Sequence, residues 1–198
     1  ATIEAAFVHW DDIDVHIHGE TIRSGGHGFA GIGRQRLLTL LQERARSLGV
    51  DLRFQSEVAD IRALPADVIV AADGLNSRIR NDNPEVFGVD VDVRTNKYIW
   101  LGTKQSFDAF TFAFVETPHG WIWAHAYQFE PGASTFIVEC SEATWRGLGF
   151  EAMDHDQTCR AAEALFADWL GGHALMSNAK HLRGSAWLNF QRVKCEQW

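Results

Sequence analysis

Five residues able to bind a polar ligand stand close together in Asp73-Gly-Leu-Asn-Ser-Arg-Ile-Arg80, directly after the apolar run Val68-Ile-Val-Ala-Ala72. A carboxylate at such a turn accepts a hydroxyl, amides at a helix start attract an anion, and arginine pairs with phosphate. The run is rich in β-branched residues and too short for an ordinary helix, so it reads as a fully buried, parallel strand. Asp73-Gly74 stops it, because glycine adopts backbone angles that a side chain forbids. A short basic helix, Asn76 to Arg80, then follows. Strand, acidic turn and helix start suit a ligand carrying phosphate or ribose. The plain alternative is a buried strand closed by an Asp-Gly turn.

Other candidate groups are more scattered. His16 and His18 alternate with Ile13, Val15 and Ile17, which puts both histidines on one face of a half-buried strand. With no third ligand at usable spacing, a solvated polar face is the better reading than a metal site. Gly26, Gly28 and Gly31 spell GxGxxG, but Gly19-Glu-Thr-Ile-Arg-Ser24 before them is no buried apolar strand. A dinucleotide loop needs that strand, so this is read as a flexible loop of close approach leading to a helix. Ser77 lacks the flanking glycines of a nucleophile elbow. His125 and Tyr127 stand on an aromatic strand, where they either orient a hydroxyl or carbonyl of a bound ring or simply pack. His27 and His119 read as plain loop residues.

The elements that position these groups follow from periodicity. Leu37, Leu38, Leu41, Ala45 and Leu48 repeat at helical spacing from Arg34 onward, and Gly49 caps the end. Arg34 at a helix start opposes the helix dipole, which favours a functional reason for it. Asp51 to Val58 reads as a strand, with a connector to Val68. Asn81 to Asp92, with Asn83-Pro84 and Gly88, is turn-rich and marks a boundary. Beyond it, Tyr98–Leu101, Phe110–Val115, Gly120–Phe129 and Ser134–Glu139 read as four strands. Thr117–Gly120 and Glu130–Ala133 supply hairpin turns for an antiparallel sheet with an aromatic face. Trp121, Trp123, His125 and Tyr127 do not alternate with polar residues, so both faces of their strand are expected to be covered. Gln157 to Leu170 reads as a second helix with Ala161, Leu165, Phe166 and Trp169 on its apolar side, capped by Asp154 or Asp156 and ended by Gly171-Gly172. Leu182 to Phe190 reads as a last strand.

Composition narrows the class. The 198 residues, 46% hydrophobic and 22% charged, suffice for one sizeable core or two small ones. A net charge of −8 argues against nucleic acid or an anionic membrane surface as partner. Three widely spaced cysteines without CxxC suit a reducing cytoplasm and no disulfide framework. No run is long enough to span a membrane, and no signal peptide is seen. Eight Trp and 13 Phe leave aromatic surface for a ligand. A first residue other than Met, and a last segment with no stop signal, suggest a piece of a longer polypeptide.

Small apolar residues, Asp73-Gly74, two variable residues, Ser77, two more and Arg80 resemble the Asp-Gly fingerprint of the FAD-dependent aromatic hydroxylases, the single-component flavoprotein monooxygenases. Arg34 before Leu37, then Gly49-Val50 and Phe54, is similar to the segment that precedes the fingerprint in that family. Gly25 to Gly31, Trp100 to Lys104, Phe107 to Phe114, Ala124 to Tyr127 and Leu175 to Phe190 resemble most the salicylyl-CoA 5-hydroxylases, with anthraniloyl-CoA monooxygenase close behind. The resemblance implies an α+β fold like that of p-hydroxybenzoate hydroxylase. Residues 1–82 would be a partial FAD-binding domain lacking its GxGxxG strand, and residues 83–198 a substrate-binding domain. It implies FAD contacts at Arg34, Asp73, Gly74, Ser77 and Arg80, NAD(P)H as reductant, and an aryl-CoA thioester hydroxylated against the sheet. A free aromatic acid or indole, or an inactive aromatic-binding piece, are the alternatives. Without the pyrophosphate loop and the later Gly-Asp segment of the family, the chain is not expected to hold FAD tightly alone.

Overall fold

The computed structural model describes residues 3–176 and 187–197. In chain order come β1 (Val8–Trp10), β2 (Ile13–Ile17), β3 (Glu20–Ser24), β4 (Phe29–Gly31), α1 (Arg34–Ser47), α2 (Arg78–Asp82) and α3 (Pro84–Phe87). There follow β5 (Val89–Thr103), β6 (Phe110–Thr117), β7 (Gly120–Glu130), β8 (Ala133–Cys140), α4 (Glu142–Gly147), α5 (His155–Leu165), α6 (Ala167–Leu170), β9 (Leu175–Met176) and β10 (Leu188–Cys195). The fold is α+β, as expected. Two compact units are formed, Ala1–Leu40 with Thr95–Phe190, and Leu41–Arg94 with Gln191–Trp198.

The first unit is organised by a mixed sheet in the order β10-β5-β8-β7-β6-β2-β3, with β9 beside β5. The hairpins β6–β7 and β7–β8 are antiparallel and pair Phe112 with His125 and His125 with Ile137, while β2 joins β6 in parallel. Alternation sends Ile122, Ala124 and Ala126 of β7 to one side, where they are buried with Ile99, Leu101, Phe136 and Val138. Trp145, Phe150, Cys159, Ala162, Phe166 and Leu170 from the helices close that core. Small residues on β7 let the helix layer come close, and the large aromatic ones are thereby placed on the opposite face. That face of β7 is half-buried, and on the neighbouring β8 both faces are covered.

The β2–β3 hairpin turns on His18 (φ 51°) and Gly19 (φ 78°), both left-handed, as a two-residue turn matched to strand twist requires. His18 therefore leaves the strand and packs edge-on against Trp121, while His16 bonds Thr21 at 2.8 Å and meets Trp169. The pair expected on one solvated face is thus divided between two environments. The second helix is interrupted at Phe166, and the expected Ala161, Leu165, Phe166 and Trp169 pack against the core together with the buried Thr158, Cys159 and Ala162. Asp154 caps it in a reciprocal pair with Gln157. Leu182 to Ala186, in the expected last strand, lies outside the described residues, and β10 begins at Leu188.

Two expectations for the second unit are overturned. Neither Asp51 to Val58 nor Val68 to Ala72 forms a strand, and Val68 is 79% and Val70 81% exposed. A parallel strand needs hydrogen-bonded neighbours, and none of the described strands pairs with either segment. The helix α1 forms as expected, yet none of its residues is buried and Leu38 and Leu41 are exposed.

Candidate functional site

The aromatic side of the first unit's sheet is built from strand alternation. Odd positions of β7 and β8 and even positions of β6 point there, so Phe110, Phe112, Trp123, His125, Tyr127, Ile137 and Glu139 share it. One end is roofed by the β1–β4 ribbon, where Trp10 stacks on Tyr127 at 5.7 Å and Phe29 lies 5.6 Å from Phe110. Tyr127 also stacks on Phe110 at 5.2 Å. Gly31 makes this roof possible, since a Cβ there would stand 2.9 Å from the Gln128 carbonyl oxygen and 3.0 Å from the Trp10 ring. Tyr127 is accordingly a packed ring under a lid of aromatic contacts, each pair worth about 0.5–1.5 kcal/mol beyond burial.

His125 lies beyond the roof, 4.9 Å from Phe112. Its Nε2 is 3.9 Å from Oε2 of Glu139, and the two side chains are only 26% and 14% exposed. Burial pushes the imidazole below its ordinary range, and the Glu139 carboxylate opposes this more weakly. Oε1 of Glu139 accepts a 2.9 Å bond from the Asn96 side-chain amide. Sequence reasoning misses Glu139 and Asn96. The one signal that could have found them is a lone acid closing the apolar strand Thr135 to Val138, at a position diagonal to His125.

The cofactor candidates fall in different surroundings. Asp73 and Gly74 form the expected turn, Gly74 at φ 80° with nothing within 4 Å of where a Cβ would stand. The Ser77 hydroxyl beside it holds the Asp73 carboxyl below the usual range, helped by the Arg78 amide. That carboxylate is exposed and has further lone pairs to accept a hydroxyl. Ser77 is buried and caps α2 through the Arg80 amide at 3.2 Å. The two arginines have different partners. Arg80 donates inward to the carbonyls of Gly74 and Leu75, and Arg78 to Glu57 and the carbonyls of Val58 and Ala59. The Arg78 side chain stays half exposed while making these bonds, and Arg80 ties down the turn that carries Asp73. Arg34 opens α1 exposed, with no hydrogen bond or ion pair among the described residues.

Arg34 lies in the first unit and Asp73, Gly74, Ser77 and Arg80 in the second, so each group is read by itself. The Asp73 carboxylate with the open side of Gly74 suits a hydroxyl-bearing group, and Arg34 is an uncommitted cation. Ser77 and Arg80 serve the turn itself. Among the described residues no helix is long and apolar enough to cross a membrane.

Relatives decide the family. Salicyloyl-CoA 5-hydroxylase of a Streptomyces species is 42% identical over 199 residues, covering 96% of this chain and 38% of that protein. The chain belongs to the flavin-dependent aromatic monooxygenases. Protodeoxyviolaceinate monooxygenase of Chromobacterium violaceum is 34% identical over 90% of the chain, and 3-hydroxy-4-methyl-anthranilyl-[aryl-carrier protein] 5-monooxygenase of Streptosporangium sibiricum is 32% identical over 96%. The chain spans 48% of the length of each of these two. No family model matches it. Among solved structures, a tetrameric 2-methyl-3-hydroxypyridine-5-carboxylic acid oxygenase shares the fold with a TM-score of 0.71 at 18% identity, over 98% of this chain and 56% of that one. A flavin-dependent halogenase, CmlS, shares it with a TM-score of 0.56 at 15% identity, over 98% and 38%.

Proposed function

We propose that this chain works as part of a longer FAD- and NAD(P)H-dependent monooxygenase that hydroxylates an aromatic ring held as a CoA thioester. The observation that carries the reading is the 42% identity to salicyloyl-CoA 5-hydroxylase, which extends through the strands that build the aromatic sheet face. FAD, when bound, supplies the electron transfer and the activation of oxygen. The chain's own residues do the rest. Phe112, Trp123 and Ile137 offer apolar walls for a ring and exclude water from it, and His125 gives the ring a polar reference point. Asp73 and Gly74 are the proposed contacts to a hydroxyl-bearing part of the cofactor, with Arg34 as a contact to its anionic part and Ser77 and Arg80 supporting the turn. Residues 1–82 are proposed as the cofactor side and 83–198 as the substrate side. The buried free thiols of Cys140 and Cys159 suit a reducing compartment such as the cytoplasm.

A free aromatic acid is the second reading for the substrate, because one relative's name carries a CoA-linked ring and another's a carrier-protein-linked ring, so the carrier differs within the family. That the chain spans only 38% of the length of salicyloyl-CoA 5-hydroxylase favours a protein that needs further sequence to retain FAD. The test is direct. The chain is mixed with FAD, passed through a desalting column and its visible spectrum recorded. A colourless folded protein is expected from the chain alone. A longer version should be yellow and show NAD(P)H oxidation stimulated more strongly by an aryl-CoA than by the free acid. A longer version that binds FAD yet ignores both substrates overturns the reading.

A further inference from the structure

The large sheet ends at β3, and none of the described strands pairs with its outer side. Every residue of β3 is exposed, Ile22 by 58%. Parity decides which of its amides are free. The Phe110 amide donates to the Asp12 carbonyl, so even positions of β2 bond to β6 and the odd ones, Ile13, Val15 and Ile17, bond to β3. Their partners Ser24, Ile22 and Glu20 are thereby used inward, and Thr21 and Arg23 turn their N–H and C=O groups outward. Natural sheets guard such an edge with a bulge, a proline or an outward charge. β3 keeps unbroken register with β2 and contains no proline. Its Arg23 is drawn across the sheet onto Asp14 at 2.5 Å, with Asp12 at 3.5 Å and Asp108 at 3.6 Å, and so does not screen the edge.

We propose that β3 is a homodimer edge, on which β3 of a second copy of this chain pairs antiparallel about Ile22. In that register Thr21 of each copy faces Arg23 of the other, and the two exchange both backbone bonds. Glu20 faces Ser24, and no like charges meet. A slip of two residues one way sets Arg23 against Arg23, and the other way sets Ile22 against Glu20, so charge and burial select the same alignment. Ile22 meets its own copy in a pair without hydrogen bonds, the Cα atoms about 4.5 Å apart, and loses its exposure there. It lies on the same side as Val15 and Phe112, so the contact sets the two aromatic faces side by side. Neither FAD nor a substrate takes part, and the hydroxylase reading stands or falls separately.

The test combines sedimentation of the chain with disulfide trapping in a Cys195→Ser background, Cys140 and Cys159 being buried. The unaltered chain is expected to show a monomer–dimer equilibrium. Thr21→Pro removes an outward amide and no bond of the β2–β3 ladder, so the far-ultraviolet circular dichroism should be kept. The dimer dissociation constant should rise about tenfold or more. Under mild oxidation Ile22→Cys should be trapped as a dimer, because its Cα spacing suits a disulfide. Glu20→Cys should not, since its two copies stand about 14 Å apart in this register. A chain that is monomeric at every concentration overturns the proposal. So does self-association that a folded Thr21→Pro leaves unchanged, or trapping of Glu20→Cys as readily as Ile22→Cys. Should Thr21→Pro fail to fold, the two cysteine variants decide alone.

Discussion

At the scale of single residues, two titrating groups make the protein's stability depend on pH in separable windows. His125 is pushed below its ordinary range mainly by burial, so the folded protein binds fewer protons there than the unfolded chain. Stability from this group is present above the ordinary histidine value, about 6.5, and is lost as pH falls through the lower folded value. Thermal melting between pH 5 and 8 should therefore show a decline on the acid side that His125→Phe reduces, the phenylalanine ring remaining compatible with the aromatic face. Asp14 acts lower on the scale. It is buried and bound at two points by Arg23, at 2.6 and 2.5 Å, which holds its carboxyl below the usual range against the cost of burial. Its contribution is present above about pH 4 and disappears as pH falls through the depressed value. Asp14→Asn should lower the melting temperature at pH 7 and flatten the loss below pH 4. The fall at pH 7 should be modest, because Arg23 keeps Asp12 at 3.5 Å and Asp108 at 3.6 Å as partners.

At the scale of elements, local turn and cap chemistry carries measurable stability. Gly19 at φ 78° closes β2 to β3, and a Cβ would meet no atom within 4 Å, so the cost of Gly19→Ala is purely that of the left-handed backbone. A loss of about 1 kcal/mol is expected by urea titration. Asp154→Ala removes one half of the reciprocal cap of α5 and should cost about the same. Both features are legible in the amino-acid sequence alone, because turn and cap residues act on neighbours in the chain. The hairpins through Pro118-His119 and Pro131-Gly132 and the helix from Arg34 are readable for the same reason. Elements whose pattern presumes a distant partner are not. Val68 to Ala72 has the composition of a buried strand, but pairing is a property of two segments, and no described strand pairs with this one. The candidate site divides along the same line. The Asp73 turn and the aromatic strand of His125 stand out by type and spacing, whereas Glu139 and Asn96 meet across 43 residues of chain and only register brings them together. The bonds of Arg78 to Glu57 and the Val58 carbonyl likewise span about 20 residues of chain, which no local pattern announces.

At the scale of the whole molecule, the two units should differ sharply in how often their backbones open. In the first, Ile122, Val138, Cys140, Phe150, Ala162 and Phe166 are fully buried around a sheet in which β7 and β8 have hydrogen-bonded neighbours on both sides. In the second, Val50, Phe54, Val58, Val68 and Val70 are exposed, and the long segment from Gly49 to Ser77 holds one short 3-10 turn, Ile61–Ala63, as its regular structure. Amide exchange depends on the free energy of the smallest opening that frees each N–H. For β7 and β8 that opening disrupts the core. For Asp51 to Ala59 and Asp67 to Ala72 it disrupts almost nothing, since few of these amides are bonded at all. With about 5 kcal/mol separating core opening from local opening, exchange should differ by about three to four powers of ten. Peptides from Trp121 to Val138 should remain protonated when those from Val50 to Ala72 have fully exchanged. Comparable protection in the two sets would mean that the second unit has an ordered core of its own. The same measurement repeated on a longer version that retains FAD should show the Val68 to Ala72 amides newly protected. Unchanged exchange there would separate the Asp73 turn from cofactor binding and remove its assigned role.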